Sequence, residues 1–402
     1  MVAIRDPFRP ARRAIARVPG AGVVQAVPRT ITFMVGSQVR ARRVPVSDRP
    51  SARPSWGMVG QVAMDEAILG LVAAGRMPHR DDYARVSEEV MAADRLWADR
   101  GWTADPATYH VVPPSLGTTL VRRRRTRGLA FEDVSFESGY APHADEPGAE
   151  RWMARTANRT AHAWVLRHPG RPRPWLICIH GMGMGNPLMD LPAFRAARLF
   201  EERGINLAFP VLPLHGPRSP GRAARADFPG YDQMDTVHGL SQGLWDIRRL
   251  VTWIQAQDAP RIGVHGISLG GCMTSLLVTH EPAVTSAIAG VPVVDFPRLM
   301  AHHASPKLRR LGQQYHLTGD EVERVQRVVS PLALPALPAT DQLGVYGGIG
   351  DRMATPAQAQ ALWEHWGRPA MCWYPGNHVG FYWSSKADRF VTARLDAAGL
   401  KA

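Results

Sequence analysis

Residues 261–280 read RIGVHGISLGGCMTSLLVTH, and at their centre stands Gly266-Ile267-Ser268-Leu269-Gly270-Gly271. RIGVH has the apolar character of a short strand, and the stretch after Ser268 reads as a helix. A serine between them occupies a strand-to-helix turn so tight that side chains two positions before and after would collide, and glycine stands at both. The following helix points its positive N-terminal end at the serine, where an oxyanion would form. In a chain with 37 glycines the pentapeptide alone could be a plain glycine turn. The strand before it and the helix after it supply the context that a nucleophile elbow requires.

Around this segment apolar runs alternate with helical patterns. Trp175–Ile179 (WLICI) is a continuous apolar run, expected of a strand buried on both faces. A helix from about Asp190, closed by Gly204, leads to a strand at 205–211. A helix over 244–256 precedes the elbow strand. After the elbow come a strand at 286–291, another at 342–346, a helix over 356–366 and a strand at 370–374. Such alternation means βαβ units and a mostly parallel sheet covered on both faces. Ahead of it, Phe131, Val134 and Phe136 mark one strand and 161–167 (AHAWVLR) another. The insert 292–338 breaks the rhythm and is a candidate lid, with Thr318 and Glu321 as a capping-box pair opening a helix whose apolar stripe is Val322, Val325 and Val329. Residues 1–55 read as an irregular, proline-punctuated basic arm. Two helices follow, the clearer marked by Tyr83, Val86, Val90, Ala93 and Trp97. The expected division is a basic arm and helical extension over 1–127 and a catalytic domain over 128–402.

A nucleophilic serine needs a base, an acid to orient the base, and donors for the oxyanion. His378, in Gly376-Asn377-His378-Val379-Gly380, lies on a late loop after the strand AMCWY. Asp351, in Gly350-Asp351-Arg352, follows the strand QLGVY. Ser268, Asp351 and His378 stand in that chain order, 83 and 27 residues apart. Asp295 is a rival acid; Asp341 is a weaker one because it precedes its strand. The loop His180-Gly181-Met182-Gly183 after WLICI can turn a backbone N–H toward the serine, so Met182 and Leu269 are the expected oxyanion donors. His180, Gly181 and His215 are expected at the substrate pocket.

These four motifs carry a resemblance. HGMG after one strand, GISLGG on the central one, GDRMATP on a later one and GNHVGF near the end stand in the order of the α/β-hydrolase superfamily. Residues 128 to 395 resemble that superfamily. The resemblance implies an eight-stranded, mostly parallel sheet with helices on both faces, the triad Ser268–Asp351–His378, a small cap after the sixth strand, and neither metal nor organic cofactor. It points to a carboxylic ester hydrolase acting on a small-molecule ester or lipid. Acyl transfer to a non-water acceptor, or a non-catalytic docking protein on the same scaffold, are the alternatives.

Composition bounds the remaining possibilities. Of the 48 basic residues only Lys307, Lys386 and Lys401 are lysines, and residues 1–50 hold ten arginines against Asp6 and Asp48. That arm suits an anionic membrane surface. No aromatic-interleaved basic patch or zinc-finger spacing points to nucleic acid. Cys178, Cys272 and Cys372 sit in apolar surroundings, as buried thiols of a reducing compartment do, so a cytoplasmic enzyme, peripheral at most to a membrane, is expected. The apolar stretch 58–72 holds Asp65 and Glu66 at its middle, which argues against a membrane span.

Overall fold

Strands buried on both faces cannot alternate polar and apolar residues, and among the described residues five strands are buried at every position. They are the strands Trp175–Ile179 (β4), Asn206–Pro210 (β5), Ile262–Ile267 (β6), Ser286–Gly290 (β7) and Leu343–Gly348 (β8). The computed structural model describes residues 26–43, 50–73, 80–221 and 228–401. Leu120–Thr126 (β1), Leu129–Glu137 (β2) and Thr160–Leu166 (β3) precede these runs, and Ala370–Tyr374 (β9) follows them. The nine strands form one sheet in the order β1-β2-β3-β5-β4-β6-β7-β8-β9. Pairing is antiparallel from β1 to β5 and parallel from β5 through β9. This is the α/β-hydrolase architecture, with one strand more than the eight expected. The extra strand, LVRRRRT, is exposed at six of its seven positions, so no hydrophobic pattern announces it. It pairs with β2 through a hairpin that turns at Arg127 and Gly128, so the sheet begins ahead of the expected boundary at 127/128.

Among the described residues, three long helices come before the sheet: α1 Ala26–Arg43, α2 Trp56–Ala73 and α3 Arg80–Asp99. The first corrects the reading of residues 1–55 as irregular throughout. Pro28 lies in its first turn, where no backbone N–H is needed, so the proline does not break it. The rest of the arm, 1–25 and 44–49, lies outside the described residues. The stripe expected on α3 is buried, from Tyr83 at 6% exposure to Trp97 at 0%. No described helix is long and apolar enough to cross a membrane.

Within the sheet domain, Gln233–Gln255 (α4) begins eleven residues earlier than its expected start, capped by the Asp232 side chain. Leu269–Leu277 (α5) follows the elbow serine. The insert holds Phe296–His303 (α6), Pro306–Gln314 (α7) and Asp320–Gln326 (α8). The expected capping box does not form: Gly319 is the N-cap of α8 and no side chain caps it, although Val322, Val325 and Val329 are buried as anticipated. Pro356–His365 (α9) and Ser385–Ala397 (α10) complete the helices that cover the last strands. Two large apolar cores fill the sheet's faces, and α3, α4 and α5 all contribute to the first. A third, small core joins Met34 of α1, Ala52, and Met58 and Val62 of α2, with Ile349 from the loop after β8 packed against it.

Candidate active site

Ser268 ends β6 and caps α5 at φ 57° and ψ −115°, a left-handed backbone that a non-glycine residue rarely adopts. Two glycines permit it. A methyl on Gly270 would overlap the carbonyl oxygen of Ile179, and one on Gly266 would overlap the carbonyl of Gly270. The turn is further held by the Ser268 N–H donating to Gly290 O at 2.9 Å on the neighbouring strand β7. The hydroxyl is thereby lifted off the carboxyl edge of the sheet.

Asp351 and His378 stand on the loops after β8 and β9, which pair side by side. The structure brings all three residues together. The Ser268 hydroxyl lies 3.0 Å from Nε2 of His378, and Nδ1–H of His378 donates to Asp351 Oδ2 at 2.8 Å. The other Asp351 oxygen accepts from the N–H groups of Met353 at 2.8 Å and Ala354 at 2.9 Å. Asp351 is 1% exposed and His378 6%, while Ser268 remains partly open. Burial disfavours the imidazolium, but the charge and hydrogen bond of Asp351, assisted by Asp65, outweigh it and hold His378 above its ordinary 6.5. The arrangement can move a proton from hydroxyl to imidazole and steady the cation that results.

Of the two expected oxyanion donors, Leu269 directly follows the serine, and Met182 stands on the loop after β4. Leu269 is the first residue of α5, so its N–H has no intrahelical acceptor. Gly181, next to Met182, packs on the elbow so closely that a methyl there would stand 3.4 Å from Cβ of Ser268. His180 and His215, expected at the substrate pocket, stand on the loops after β4 and β5. Both are buried, with rings 5.0 Å apart. His180 donates from Nδ1 to Gly181 O at 2.8 Å and accepts at Nε2 from the Leu212 N–H at 3.1 Å. Burial pushes it down to about 4, so it is a neutral brace for the loop.

The other rivals resolve into structural roles. Asp295 caps α6, accepting from the Arg298 N–H at 2.9 Å, and Asp341 sits in the short turn of helix before β8. His265 is buried in β6 with Nε2 3.1 Å from the Tyr346 hydroxyl. His303 of the insert bonds the Met353 carbonyl at 2.9 Å, tying α6 to the loop that carries Asp351. Cys178, Cys272 and Cys372 are buried free thiols. Among the described residues no cluster of three or more His, Cys, Asp or Glu side chains could hold a metal ion.

One contributor went unrecognised in the sequence. Asp65, fully buried in the middle of α2, accepts from the backbone N–H of His378 at 3.0 Å and of Arg352 at 2.9 Å, and from the Asn377 side-chain amide at 2.9 Å. Gln61, one turn earlier, accepts from the Asn377 N–H at 3.1 Å. Glu66 holds the Arg352 guanidinium at 2.8 Å, and that guanidinium lies 4.7 Å over the Phe33 ring of α1. The signal was present as two adjacent acids inside an apolar helix, where a buried charge demands a partner.

Comparison with known proteins agrees with this architecture. Residues 246–364, which contain Ser268 and Asp351, match the model of the prolyl oligopeptidase family. "Uncharacterized protein MT2702" of Mycobacterium tuberculosis strain CDC 1551 is 43% identical over 87% of this chain and 85% of its own length. "Uncharacterized protein Rv2627c" of strain H37Rv is 42% identical over the same shares. The acetyl xylan esterase from Paenibacillus sp. R4 superposes with a TM-score of 0.50 at 17% identity, over 75% of this chain and 93% of that one. Acetyl xylan esterase 1 from Thermoanaerobacterium sp. does so at 0.50 and 14%, over 74% and 93%. At such identities the two superpositions speak for the fold.

Proposed function

The chain belongs to the α/β-hydrolase superfamily of serine hydrolases, in one family with the two Mycobacterium tuberculosis proteins, and from that premise we propose that it cleaves an ester-like bond through an acyl-enzyme on Ser268. The observation that carries this reading is the continuous line of hydrogen bonds from Ser268 Oγ through both ring nitrogens of His378 to Asp351, at 3.0 and 2.8 Å.

The steps follow from the chemistry of those atoms. His378 takes the Ser268 proton at Nε2 as Oγ adds to the carbonyl carbon, and the resulting oxyanion rests on the N–H groups of Leu269 and Met182. The imidazolium, held by Asp351, returns the proton to the leaving alkoxide, and the acyl group stays on Oγ. Water then enters, gives a proton to His378 and adds to the acyl carbon; collapse releases the acid and restores the serine. A carboxylic ester is the easiest acyl donor for such a site. Exposed Met182 and Trp383, with Leu188 and Met189 on the short helix Pro187–Ala193, all in connections that follow β4 and β9, favour an apolar acyl or alcohol group. The peptidases and esterases that share the fold leave the bond itself to experiment.

The test is a panel of esters and amides of varied acyl length, run on the wild type and on Ser268→Ala, beside fluorophosphonate labelling. The variant should lose on the order of 10⁶ in kcat and all labelling. Near-wild-type turnover by it would falsify the assignment. Added alcohols or amines that divert product from free acid would reveal transfer to a non-water acceptor.

A further inference from the structure

Helix α2 belongs to the N-terminal extension, not to the sheet, yet it enters the triad's immediate surroundings. Asp65 is 0% exposed and its two oxygens are fully committed. Oδ1 accepts from Asn377 Nδ2 at 2.9 Å; Oδ2 accepts from the backbone N–H groups of Arg352 at 2.9 Å and His378 at 3.0 Å. The first backbone donor directly follows Asp351 and the second belongs to His378 itself. One carboxylate thus bridges the loop of the acid and the loop of the base, and its acceptors are spent on donors that an ionised carboxylate suits best. We propose that Asp65 is a positioning residue of the active site, fixing the Asp351 and His378 loops relative to one another and adding a second negative charge behind the imidazole.

The inference rests on the acyl-enzyme reading above. Burial and the neighbouring Asp351 charge push the Asp65 carboxyl up to about 6, against the backbone hydrogen bonds that favour its ionised form, so it is charged at neutral pH. Its charge favours the imidazolium of His378. The other groups that face this cluster are Asp351 and Arg352 on the acid loop, Tyr374 on β9, Glu66 with Arg29 from the helices, and His302 and His303 from the insert. These side chains are all retained when Asp65 alone is replaced, so a difference between pH profiles originates at Asp65.

Asp65→Asn keeps the shape, removes the charge and turns an amide N–H₂ toward N–H donors. With an activated ester, its kcat should fall about 10- to 100-fold at pH 8, the scale of a small misplacement of reacting groups, with KM nearly unchanged. The acid limb of kcat/KM should move about one pH unit lower, because His378 loses a nearby negative charge. A role confined to folding would lower the melting temperature or the fraction labelled by fluorophosphonate but leave that midpoint in place. Asp65→Glu retains the charge while displacing the acceptors, so it should keep the wild-type midpoint and lose kcat; it also decides the matter if the asparagine variant does not fold. Wild-type kcat and an unmoved midpoint in Asp65→Asn, or wild-type kcat in Asp65→Glu, overturn the proposal. Ser268→Ala in the same assay separates the two ideas: if it is inactive the acyl-enzyme reading stands whatever Asp65 does, and if it is active that reading fails first.

Discussion

Asp351 stands on the loop after β8, where the sheet delivers it to the ring of His378; Asp65 stands mid-helix in the N-terminal extension and reaches the backbone of the same residue. Both carboxylates are buried, and both are satisfied by backbone donors from the loop after β8. They differ in what they touch. Asp351 meets the proton-carrying ring, so its charge is felt in every protonation event. Asp65 meets peptide groups, so it acts through placement first and through charge second. On the proposed reading, the site takes its acid from a loop of the sheet and its rigidity from a helix that precedes the sheet.

The widest gap between the two carboxylates should appear on replacement by asparagine. Asp351→Asn leaves an isosteric side chain but favours the wrong tautomer of His378, and kcat should drop about 10⁴-fold in an activated-ester assay. That loss should exceed the one from Asp65→Asn by at least about a factor of 100. Equal losses, or a larger one at Asp65, would reverse the assignment of acid and positioning residue.

A second measurement sharpens the comparison through pH. His378 must be neutral to accept the Ser268 proton, and it is held above 6.5 mainly by Asp351 against the opposing pull of burial. The acid limb of kcat/KM should have its midpoint above 6.5 and fall about tenfold per unit below it. Stability runs the other way for these groups. A histidine raised in the folded state contributes stability in full below its unfolded value, lost as pH rises through the folded one. Asp65, raised to about 6, likewise favours the fold most when protonated and loses that contribution between about 4 and 6. Denaturant titrations of wild type and Asp65→Asn across pH 4 to 8 should show the variant gaining relative stability as the pH rises through that window. A constant difference across it would mean that Asp65 keeps one protonation state.

How the two regions read in sequence follows from the same contrast. The central strands were legible because burial on both faces forces continuous apolar runs, as in WLICI and SAIAG. The elbow was legible because Gly266 and Gly270 have no alternative beside a backbone that leaves no room for a methyl. Asp351 and His378 could be selected because each stands on a loop directly after a legible apolar strand. β1 escaped because four consecutive arginines at an exposed sheet edge carry no alternation, although charge there guards against edge pairing. α1 escaped because Pro28 and the arginines around it suggested irregular chain. Asp65 and Glu66 were visible as acids within an apolar helix, but what they bind lies almost 300 residues away. Periodicity reports which face a residue turns to a core; it does not report which distant peptide group a buried charge will meet.

The smallest expected effect tests whether the extension's second acid belongs with Asp65 or merely fastens the helices. Glu66 is 2% exposed and holds Arg352 Nε at 2.8 Å, while Arg29 of α1 approaches its other oxygen at 3.6 Å. Neither contact involves the peptide groups that carry Asp351 and His378, and Arg352 keeps the Phe33 ring beneath it at 4.7 Å when the carboxylate charge is gone. Glu66→Gln can still accept one hydrogen bond from the guanidinium. It should cost about 1–3 kcal/mol of stability, the penalty of weakening a buried charged hydrogen bond, measured by denaturant unfolding. Its kcat and the midpoint of its acid limb should stay near wild type, because the Asp65 bridge remains whole. If Glu66→Gln moved the acid limb as far as Asp65→Asn does, the two acids would act as one charged unit on His378, and the distinction between a bridge at the triad and a fastening beside it would be lost.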